Sequence, residues 1–231
     1  MTGALRREGP FLGIDGTKGR WVGVEIDADG AFVAARLRDA LSELIAAVPG
    51  AGAIGIDVPI GLPEREPRRA DLAAKELLGA RRSTIFVTPP RAVLEAPDYK
   101  AARELSRELT GKGLSAQSFA LRHNVLEADA LRSDARVFEV HPELAFRALA
   151  GRVLATSKRS WNGAAERRHE LGLAGLHLPR DLGEAGDVPV DDVLDAAVCA
   201  WSARRIACGE AGRAPEDPDL DGDGRPIAIW F

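Results

Sequence analysis

The sequence FLGIDGTKGRWVGVEI, residues 11–26, carries the first strand signals of the chain. Phe11–Asp15 is an apolar run that ends at a carboxylate, and Gly16–Gly19 has the composition of a turn. Trp21–Ile26 is again strand-like, and an Asp-Gly hairpin signal then precedes Ala31–Ala35. The pattern predicts three consecutive strands joined by tight turns.

A helix and a buried strand are predicted next. Ala53–Val58 is almost continuously apolar, which is typical of a central strand covered on both faces. A strand that follows a helix in this way runs parallel to the first strand, so we expect an α/β protein with a mixed sheet. Pro49-Gly50 closes the preceding helix, whose apolar residues fall at helical spacing: Leu37, Leu41, Leu44, Ile45 and Val48.

The middle of the chain is mostly helical in pattern. We expect a single domain over residues 1–231, with a helical insertion at about 64–134. Strand character returns at Arg136–His141 and in a final edge strand at Ile227–Trp230, with a long helix predicted at 190–206 between them. Further helices are predicted at 67–79, 97–110, 115–131, 143–150 and 164–171.

Length and composition exclude several classes of protein. With 231 residues, 45% hydrophobic and 29% charged, the chain is neither disordered nor a disulfide scaffold. No apolar run approaches the roughly 18 residues of a membrane helix, and Met1–Pro10 lacks an apolar signal core. We therefore expect a cytoplasmic protein with no membrane partner. Cys199 and Cys208 fall on opposite faces of one predicted helix, so they are not expected to form a disulfide.

The net charge of −4 is distributed unevenly along the chain. Residues 64–180 carry a net charge of +6, whereas residues 1–63 carry −2 and residues 181–231 carry −8. A basic region of this kind is suited to a polyanion, so nucleic acid of unspecified type is the expected partner.

Three carboxylates fall where chemistry is expected in an α/β fold. Asp15 and Asp57 come at the ends of strands predicted to be parallel neighbours, so both reach the same sheet edge. Asp195 lies in a helix that is apolar or small nearly all round, where an ionised carboxylate is costly unless it is paired or binds a metal. Asp192 lies three residues earlier on the same helix face.

These oxygen ligands indicate a hard cation. Glu139 on the fifth predicted strand, or Glu143 just beyond it, is a candidate to complete the cluster. Carboxylates without a cysteine or histidine cage favour Mg²⁺ or Mn²⁺ over zinc. Two such ions about 4 Å apart support phosphodiester hydrolysis, which makes the chain a candidate metal-dependent nuclease.

Structural explanations compete with several of these assignments. Asp15 before Gly-Thr can form an Asx turn, and Asp191 or Asp192 can cap the helix after Pro189. Glu139 can pair with His141 or with an arginine across the strand. Asp57 and Asp195 are harder to explain as structure alone, since a buried acid needs a partner. Cys199 is interpreted as a small core residue, His141-Pro142 as a helix start, and the Asp217–Asp223 segment as a turn.

An ordered series of motifs resembles that of a known family. In chain order its members are Gly13–Gly16 with Trp21 and Gly23; Ile56–Leu62; Arg69 and Asp71 with Leu78-Gly79; Ser83 and Phe86; Pro89–Arg91; Gly113, Ser115 and Gln117; Glu139–Glu143; Lys158 with Gly163 and Glu166-Arg167; and Asp192, Asp195 and Ala196. The series is similar to that of the domain of unknown function 429 family, whose members are predicted RNase H-like nucleases. The resemblance spans nearly the whole chain.

The resemblance implies a fold and roles for particular residues. It implies a sheet ordered 3-2-1-4-5 with strand 2 antiparallel and helices on both faces. It also implies that Asp15 and Asp57 are the strand carboxylates of the catalytic site and that Asp195 is the acid of the final helix. Candidate catalytic residues are thus Asp15, Asp57, Glu139 and Asp195, and candidate metal ligands are Asp15, Asp57, Asp192, Asp195 and Glu143.

Basic residues are candidates for holding substrate phosphates. The candidate substrate-binding residues are Lys18, Arg69, Arg81, Arg82, Arg91 and Lys158. The competing explanation for the arginines is ion pairing on solvated helices with Glu64, Glu66, Asp71 and Glu76.

Two other functions compete with the nuclease. Asp15–Gly19 is similar to the first phosphate loop of actin-like ATPases and sugar kinases, which makes a nucleotide-binding phosphotransferase an alternative. That architecture normally needs a second half containing its own sheet and phosphate loop. The third possibility is a catalytically silent RNase H-fold binding module whose acids are ion-paired.

Overall fold

The computed structural model describes residues 8–231, and its central feature is a five-stranded sheet. The strands are β1 (Phe11–Thr17), β2 (Arg20–Ile26), β3 (Phe32–Arg38), β4 (Ala53–Ile56), β5 (Val137–Glu139), β6 (Arg213–Ala214) and β7 (Ile229–Trp230). The helices are α1 (Leu41–Ala46), α2 (Arg69–Leu78), α3 (Arg91–Leu94), α4 (Tyr99–Thr110), α5 (Ala116–Ala120), α6 (Arg122–Asp129), α7 (Pro142–Ala150), α8 (Trp161–Leu173) and α9 (Val190–Cys208).

The order of the main sheet is β3-β2-β1-β4-β5. β2 is antiparallel to both β1 and β3, whereas β4 is parallel to β1 and to β5. The predicted order 3-2-1-4-5 and the predicted α/β class are therefore confirmed. β6 and β7 form a separate two-stranded pair, and an isolated parallel bridge joins Trp230 to Val140 just after β5.

The first hairpin differs from its prediction. We expected β1 to end at Asp15 and Gly16–Gly19 to form the turn, but β1 continues through Thr17, whose ladder partner is Arg20. The turn consists of Lys18 and Gly19 alone, with φ angles of 47° and 78°. A two-residue turn with positive φ at both positions matches the twist of the flanking strands, which is why the ladder extends two residues further.

Several predicted boundaries also move. Leu37 belongs to β3, where it pairs with Val22, so its helical spacing from Leu41 is coincidental. β4 ends at Ile56 rather than Val58, and the helix predicted at 115–131 is two helices that meet at Leu121. His141-Pro142 does start a helix, as expected, because Pro is favoured at the first helical position.

Two helices cover opposite faces of the sheet. A Cβ on Gly13 of β1 would lie 2.0 Å from the Ala196 carbonyl oxygen, so α9 contacts this face at backbone distance. Gly23 pairs with Ile14 and therefore points to the other face, where a Cβ would lie 2.9 Å from Leu44 of α1. Because side chains alternate along a strand, Asp15 points to the same face as Gly13, toward α9.

The chain divides into two compact units. The first contains the described residues up to Asp57, then Asp134–Arg213 and Trp230–Phe231. The second contains Val58–Ser133 and Ala214–Ile229. The prediction of one domain with an insertion at 64–134 stays a prediction.

The second unit has its own small core and its own buried acids. Its apolar cluster consists of Val93, Ala102, Leu114 and Phe119. Asp129 in α6 is buried, and it accepts hydrogen bonds from the Gly61 backbone N–H at 2.7 Å and from the Arg91 side chain. The helices of this unit are therefore tied together by buried carboxylates as well as by apolar contact.

No helix among residues 8–231 is long and apolar enough to cross a membrane. The cytoplasmic location stays a prediction, and most of the segment examined for a signal core, Met1–Pro10, lies outside the described residues. Cys199 and Cys208 are both free thiols, as expected. Asp221 accepts hydrogen bonds from the N–H groups of Asp223 and Arg225, which confirms the turn predicted there.

Candidate metal centre

Three carboxylates from separate parts of the chain converge beside the sheet. Asp15 lies on β1, Asp57 follows β4 directly and Asp195 lies on α9. One oxygen from each carboxylate lies within 4.8 Å of one from each of the other two. Asp15 and Asp57, which were predicted to reach one sheet edge, therefore lie together with Asp195 of the helix, and we call the three residues the carboxylate cluster.

The backbone explains how these side chains meet. The Asp57 N–H donates to the Ile14 carbonyl at 3.0 Å, which extends the β1–β4 pairing to the first residue past β4. Glycines at positions 13 and 55 allow α9 to approach closely, since a Cβ on Gly55 would lie 2.6 Å from the Cys199 carbonyl oxygen. Asp195 on α9 is thus brought to the ends of the two central strands.

Asp15 does not start a turn, since it lies within β1, which continues to Thr17. The Gly16 backbone N–H donates to Asp15 Oδ1 at 2.7 Å. This is a contact with the adjacent residue, whereas an Asx turn uses the N–H two residues on. Asp15 also contributes to the carboxylate cluster.

Burial makes the charged form of the cluster costly. Asp195 is 0% exposed and Asp15 is 8% exposed. Desolvation, followed by repulsion from neighbouring carboxylates, raises the pKa of Asp57 to about 8 and raises the pKa of Asp15 well above its ordinary value. Desolvation likewise raises the pKa of Asp195 to about 6, although Lys158 opposes this shift.

Lys158 supplies a positive charge to the cluster. Its ammonium donates a hydrogen bond to Asp195 Oδ2, and its side chain is 31% exposed. Burial by itself lowers the pKa of Lys158, but the attraction of Asp195 and Asp57 outweighs this and raises it above the ordinary value. Lys158 pairs with a cluster carboxylate, and its predicted contact with substrate stays a prediction.

The donor set fits a hard divalent cation. Among the described residues, none forms a hydrogen bond with the second oxygen of Asp195, Oδ1, although this atom is buried. A buried, orphaned carboxylate oxygen lacks a compensating partner, and a bound cation supplies one. Lys158 offers one positive charge, which matches one ionised acid, so ionisation of all three acids together would require the further positive charge that a cation brings.

Two further acids lie beside the cluster. Glu139 ends β5, is 6% exposed and contributes to raising the pKa of Asp57. Asp192, in the first turn of α9, has a pKa raised by burial and by the charge of Asp191, while the Thr17 hydroxyl favours its charged form.

The helix-capping role expected for Asp191 or Asp192 is wrong. Pro189 is the N-cap of α9, and no side chain caps this helix. Both acids instead lie in the first turn, where a negative charge interacts favourably with the helix dipole. Asp191 pairs with Arg159 at 3.4 Å.

Glu143 is held by a different partner. Its carboxylate accepts a hydrogen bond from the Arg167 guanidinium at 2.6 Å, and both side chains are buried. Arg167 also donates to the Gly163 carbonyl at 3.2 Å. Among the described residues, the group whose oxygens lie close enough to share one ion contains Asp15, Asp57 and Asp195 and leaves out Glu143.

The predicted phosphate-binding residues are spread over both units. Lys18 is exposed at the tip of the β1–β2 turn. In the second unit, Arg69 pairs with Asp219 at 2.9 Å, and Arg91 pairs with Asp129 and, at 3.3 Å, with Glu95.

The arginines of the second unit are partly accounted for by ion pairs, as the competing explanation holds. Of the acids expected as their partners, Asp71 pairs with Arg68. Arg81 and Arg82 lie in a 3₁₀ turn, Gly79–Thr84.

Two residues near the cluster had no predicted role there. Thr17 lies next to Asp192, and a prediction that ended β1 at Asp15 left it in a turn. Cys199 is buried, as expected of a core residue, but the charges of the cluster carboxylates add to burial in raising its pKa. Its spacing of four residues from Asp195 is the signal for a shared helix face.

The fold and site define a class of protein. The chain is an α/β protein with the strand order of the RNase H-like fold and a cluster of three carboxylates at the ends of its central strands. The family described as "Protein of unknown function (DUF429)" matches residues 13–220, and the chain belongs to that family. Significant matches to curated proteins or to solved structures are absent.

Proposed function

We propose that this protein is a Mg²⁺- or Mn²⁺-dependent nuclease that hydrolyses phosphodiester bonds of nucleic acid. The observation that carries the proposal is the carboxylate cluster, with oxygens of Asp15, Asp57 and Asp195 within 4.8 Å of one another. One oxygen of Asp195 is buried and has no hydrogen-bond partner within residues 8–231. Hard carboxylate oxygens are the ligands that Mg²⁺ and Mn²⁺ prefer.

The acids of the site have different roles in the proposed hydrolysis. Asp15, Asp57 and Asp195 would hold the metal, which would lower the pKa of a water and stabilise negative charge on the phosphate. The water oxygen would form a new bond to phosphorus while the bond from phosphorus to the leaving sugar oxygen breaks, and that oxygen would take a proton from solvent. Asp192, which is half-buried with a raised pKa, is suited to accept the proton released by the water.

Removal of the cluster charges tests the proposal. The purified chain is assayed with Mg²⁺ or Mn²⁺ on single strands, duplexes, hybrids and junctions. Asp57→Asn combined with Asp195→Asn is expected to abolish hydrolysis, whereas Asp39→Asn, which changes an exposed acid, retains it. Equal activity of the double variant and the parent would refute the assigned site.

One observation favours a second candidate, a catalytically silent binding module. The Lys158–Asp195 pair already neutralises part of the cluster without a metal. Thermal denaturation separates the two functions, because a ligand that binds the folded state raises the melting temperature. A melting temperature unaffected by millimolar Mn²⁺ favours the silent module.

The phosphotransferase alternative has less support. Residues 8–231 contain one five-stranded sheet and one short two-stranded pair, whereas the actin-like architecture normally needs a second half with its own sheet. Calorimetric titration with ATP tests it, and a tight, ATP-specific site would favour it over the nuclease.

A further inference from the structure

Trp161, the first residue of α8, is exposed to an unusual degree. It is 87% exposed, whereas Trp21 is 2% exposed and Trp201 and Trp230 are partly buried. Tryptophan is highly buried on average, because its large apolar surface is costly to leave in water. Among the described residues it is also the one aromatic side chain in the set of exposed large hydrophobics.

The chain connects Trp161 closely to the carboxylate cluster. Lys158, whose ammonium bonds Asp195, lies three residues before it. Three peptide units span at most about 11 Å between Cα atoms, so the indole is attached within that distance of the Lys158 backbone. Trp161 therefore belongs to the short segment of chain that contacts the cluster through Lys158.

Arg159, two residues before Trp161, offers an exposed positive charge. The other basic residues of 151–165 are already paired, Arg152 with Glu166 and Glu170 and Lys158 with Asp195. The Arg159 side chain is 80% exposed and lies 3.4 Å from Asp191, the second residue of α9. An exposed indole and an exposed guanidinium thus occur together in the segment that carries Lys158.

We propose that Trp161 and Arg159 form a docking site for an unpaired nucleotide, and that the substrate is therefore single-stranded nucleic acid. This rests on the proposed function, since it takes the polymer at the cluster to be nucleic acid. The indole stacks on a base, and the Arg159 guanidinium contacts a neighbouring phosphate. Stacking needs a base whose face is open, which a paired base within a duplex does not offer.

Oligonucleotide binding tests this site without turnover. The full chain carrying Asp57→Asn is titrated in Mg²⁺ with a fluorescein-labelled thymidine dodecamer and, separately, with the same strand in a duplex. We expect the single strand to bind at least tenfold more tightly than the duplex and to quench tryptophan emission. Adding Trp161→Ala should weaken single-strand binding about 5- to 150-fold and remove most of the quenching.

Matched variants separate stacking from general charge. Trp161→Phe keeps an aromatic face and should retain most of the affinity. Leu173→Ala, which changes an exposed apolar residue at the other end of α8, should have no effect. Arg159→Ala should reduce the slope of log affinity against log salt by about 0.7, the contribution of one phosphate contact, more than Arg152→Ala does.

Three outcomes overturn the docking site. They are equal binding of single strand and duplex, unchanged affinity in Trp161→Ala, and a change of oligomeric state in Trp161→Ala, which identifies a contact between copies of the chain. Cleavage assays keep the two proposals apart. Cleavage that is insensitive to Trp161→Ala rejects the docking site alone, whereas Trp161-dependent binding without cleavage by the parent chain sustains the docking site and contradicts the nuclease.

Discussion

The ammonium of Lys158 neutralises the buried carboxylate of Asp195, and a divalent ion bound at the proposed site would do the same. We expect Lys158→Met to lower the free energy of unfolding in EDTA by about 1–3 kcal/mol, because it leaves this carboxylate unpaired. The partial exposure of Lys158 keeps the loss below that for a fully buried pair. The rise in melting temperature on adding Mn²⁺ should exceed that of the parent, because the ion no longer competes with the ammonium.

Lys100→Met is the matched control for this variant, since Lys100 is exposed on α4 in the other unit. It should change neither the stability in EDTA nor the response to Mn²⁺. A Lys158→Met chain that is as stable as the parent in EDTA would contradict the assigned role of the ion pair.

The raised pKa values of the cluster acids set a pH dependence of stability. Between about pH 4, where free aspartate titrates, and about pH 8, the pKa of Asp57, the folded chain binds more protons than the unfolded chain. The free energy of unfolding in EDTA should therefore fall as pH rises through this window. Urea denaturation at pH 5, 6.5 and 8 measures it, and stability that rises steadily over this range would contradict the assignment.

Asp57→Asn should remove much of this loss of stability at high pH. Because the variant cannot ionise at position 57, we expect it to be more stable than the parent at pH 8 in EDTA, with the difference shrinking toward pH 5. It should also lose most of the stabilisation by Mn²⁺. Asp39→Asn, at an exposed acid, should leave both measurements unchanged. If Asp57→Asn stabilises the chain in EDTA equally at pH 5 and pH 8, the cause is something other than the ionisation of Asp57.

The acids of the cluster were predictable from the sequence, but the residues that pair with them were not. Asp15 and Asp57 were predicted from their positions near strand ends and Asp195 from its apolar helix, because each argument uses local pattern alone. The pairing of Lys158 with Asp195 and of Glu143 with Arg167 depends on loops and helices far apart in the sequence. No local pattern encodes such pairs, so Lys158 was assigned to substrate and Glu143 to the metal.

The close packing of α9 on the sheet makes one glycine critical. A Cβ on Gly13 would lie 2.0 Å from both the Ala196 carbonyl oxygen and the Ala200 nitrogen, which are backbone atoms that cannot move aside alone. Gly13→Ala should therefore lower the free energy of unfolding by about 3 kcal/mol or more. Because displacement of α9 moves Asp195 away from Asp15, the response to Mn²⁺ should also weaken. Urea denaturation and thermal denaturation with Mn²⁺ measure the two effects.

Gly50→Ala provides the comparison within the same unit, since a Cβ there meets only Pro10 at 3.9 Å, an ordinary contact distance. It should change stability by no more than about 0.5 kcal/mol. A Gly13→Ala chain that is as stable as Gly50→Ala would show that α9 can retreat from the sheet without cost.

The strands and helices were more predictable from the sequence than the residues at which they begin and end. The order of the sheet was predictable because hairpin strands, a connecting helix and an apolar strand leave few allowed topologies. The end of β1 was not, because Gly16 and Thr17 are compatible with both turn and strand, and the ladder to β2 decides between them. The break at Leu121 is likewise absent from the helical spacing.

The cluster acids, the Lys158 ammonium and the exposed indole all belong to the first compact unit, whereas all four predicted phosphate-binding arginines belong to the second. The charge is uneven along the sequence, but this unevenness does not coincide with the two units, because the basic region 64–180 contributes residues to both. The polyanionic partner inferred from composition stays a prediction, and composition gave no indication of how the chain divides.

Because the cluster lies within one unit, metal binding should stabilise the two units unequally. Binding free energy acts on the amides whose opening disrupts the site, and amides that open independently of the site are unaffected. We expect saturating Mn²⁺ to slow hydrogen exchange in β1, around Asp57 and in the first half of α9. Exchange in α2 and α4 should change little. Asp57→Asn should abolish the protection in the first unit, and equal protection of both units by Mn²⁺ would mean that the ion binds elsewhere or that the chain opens only as a whole.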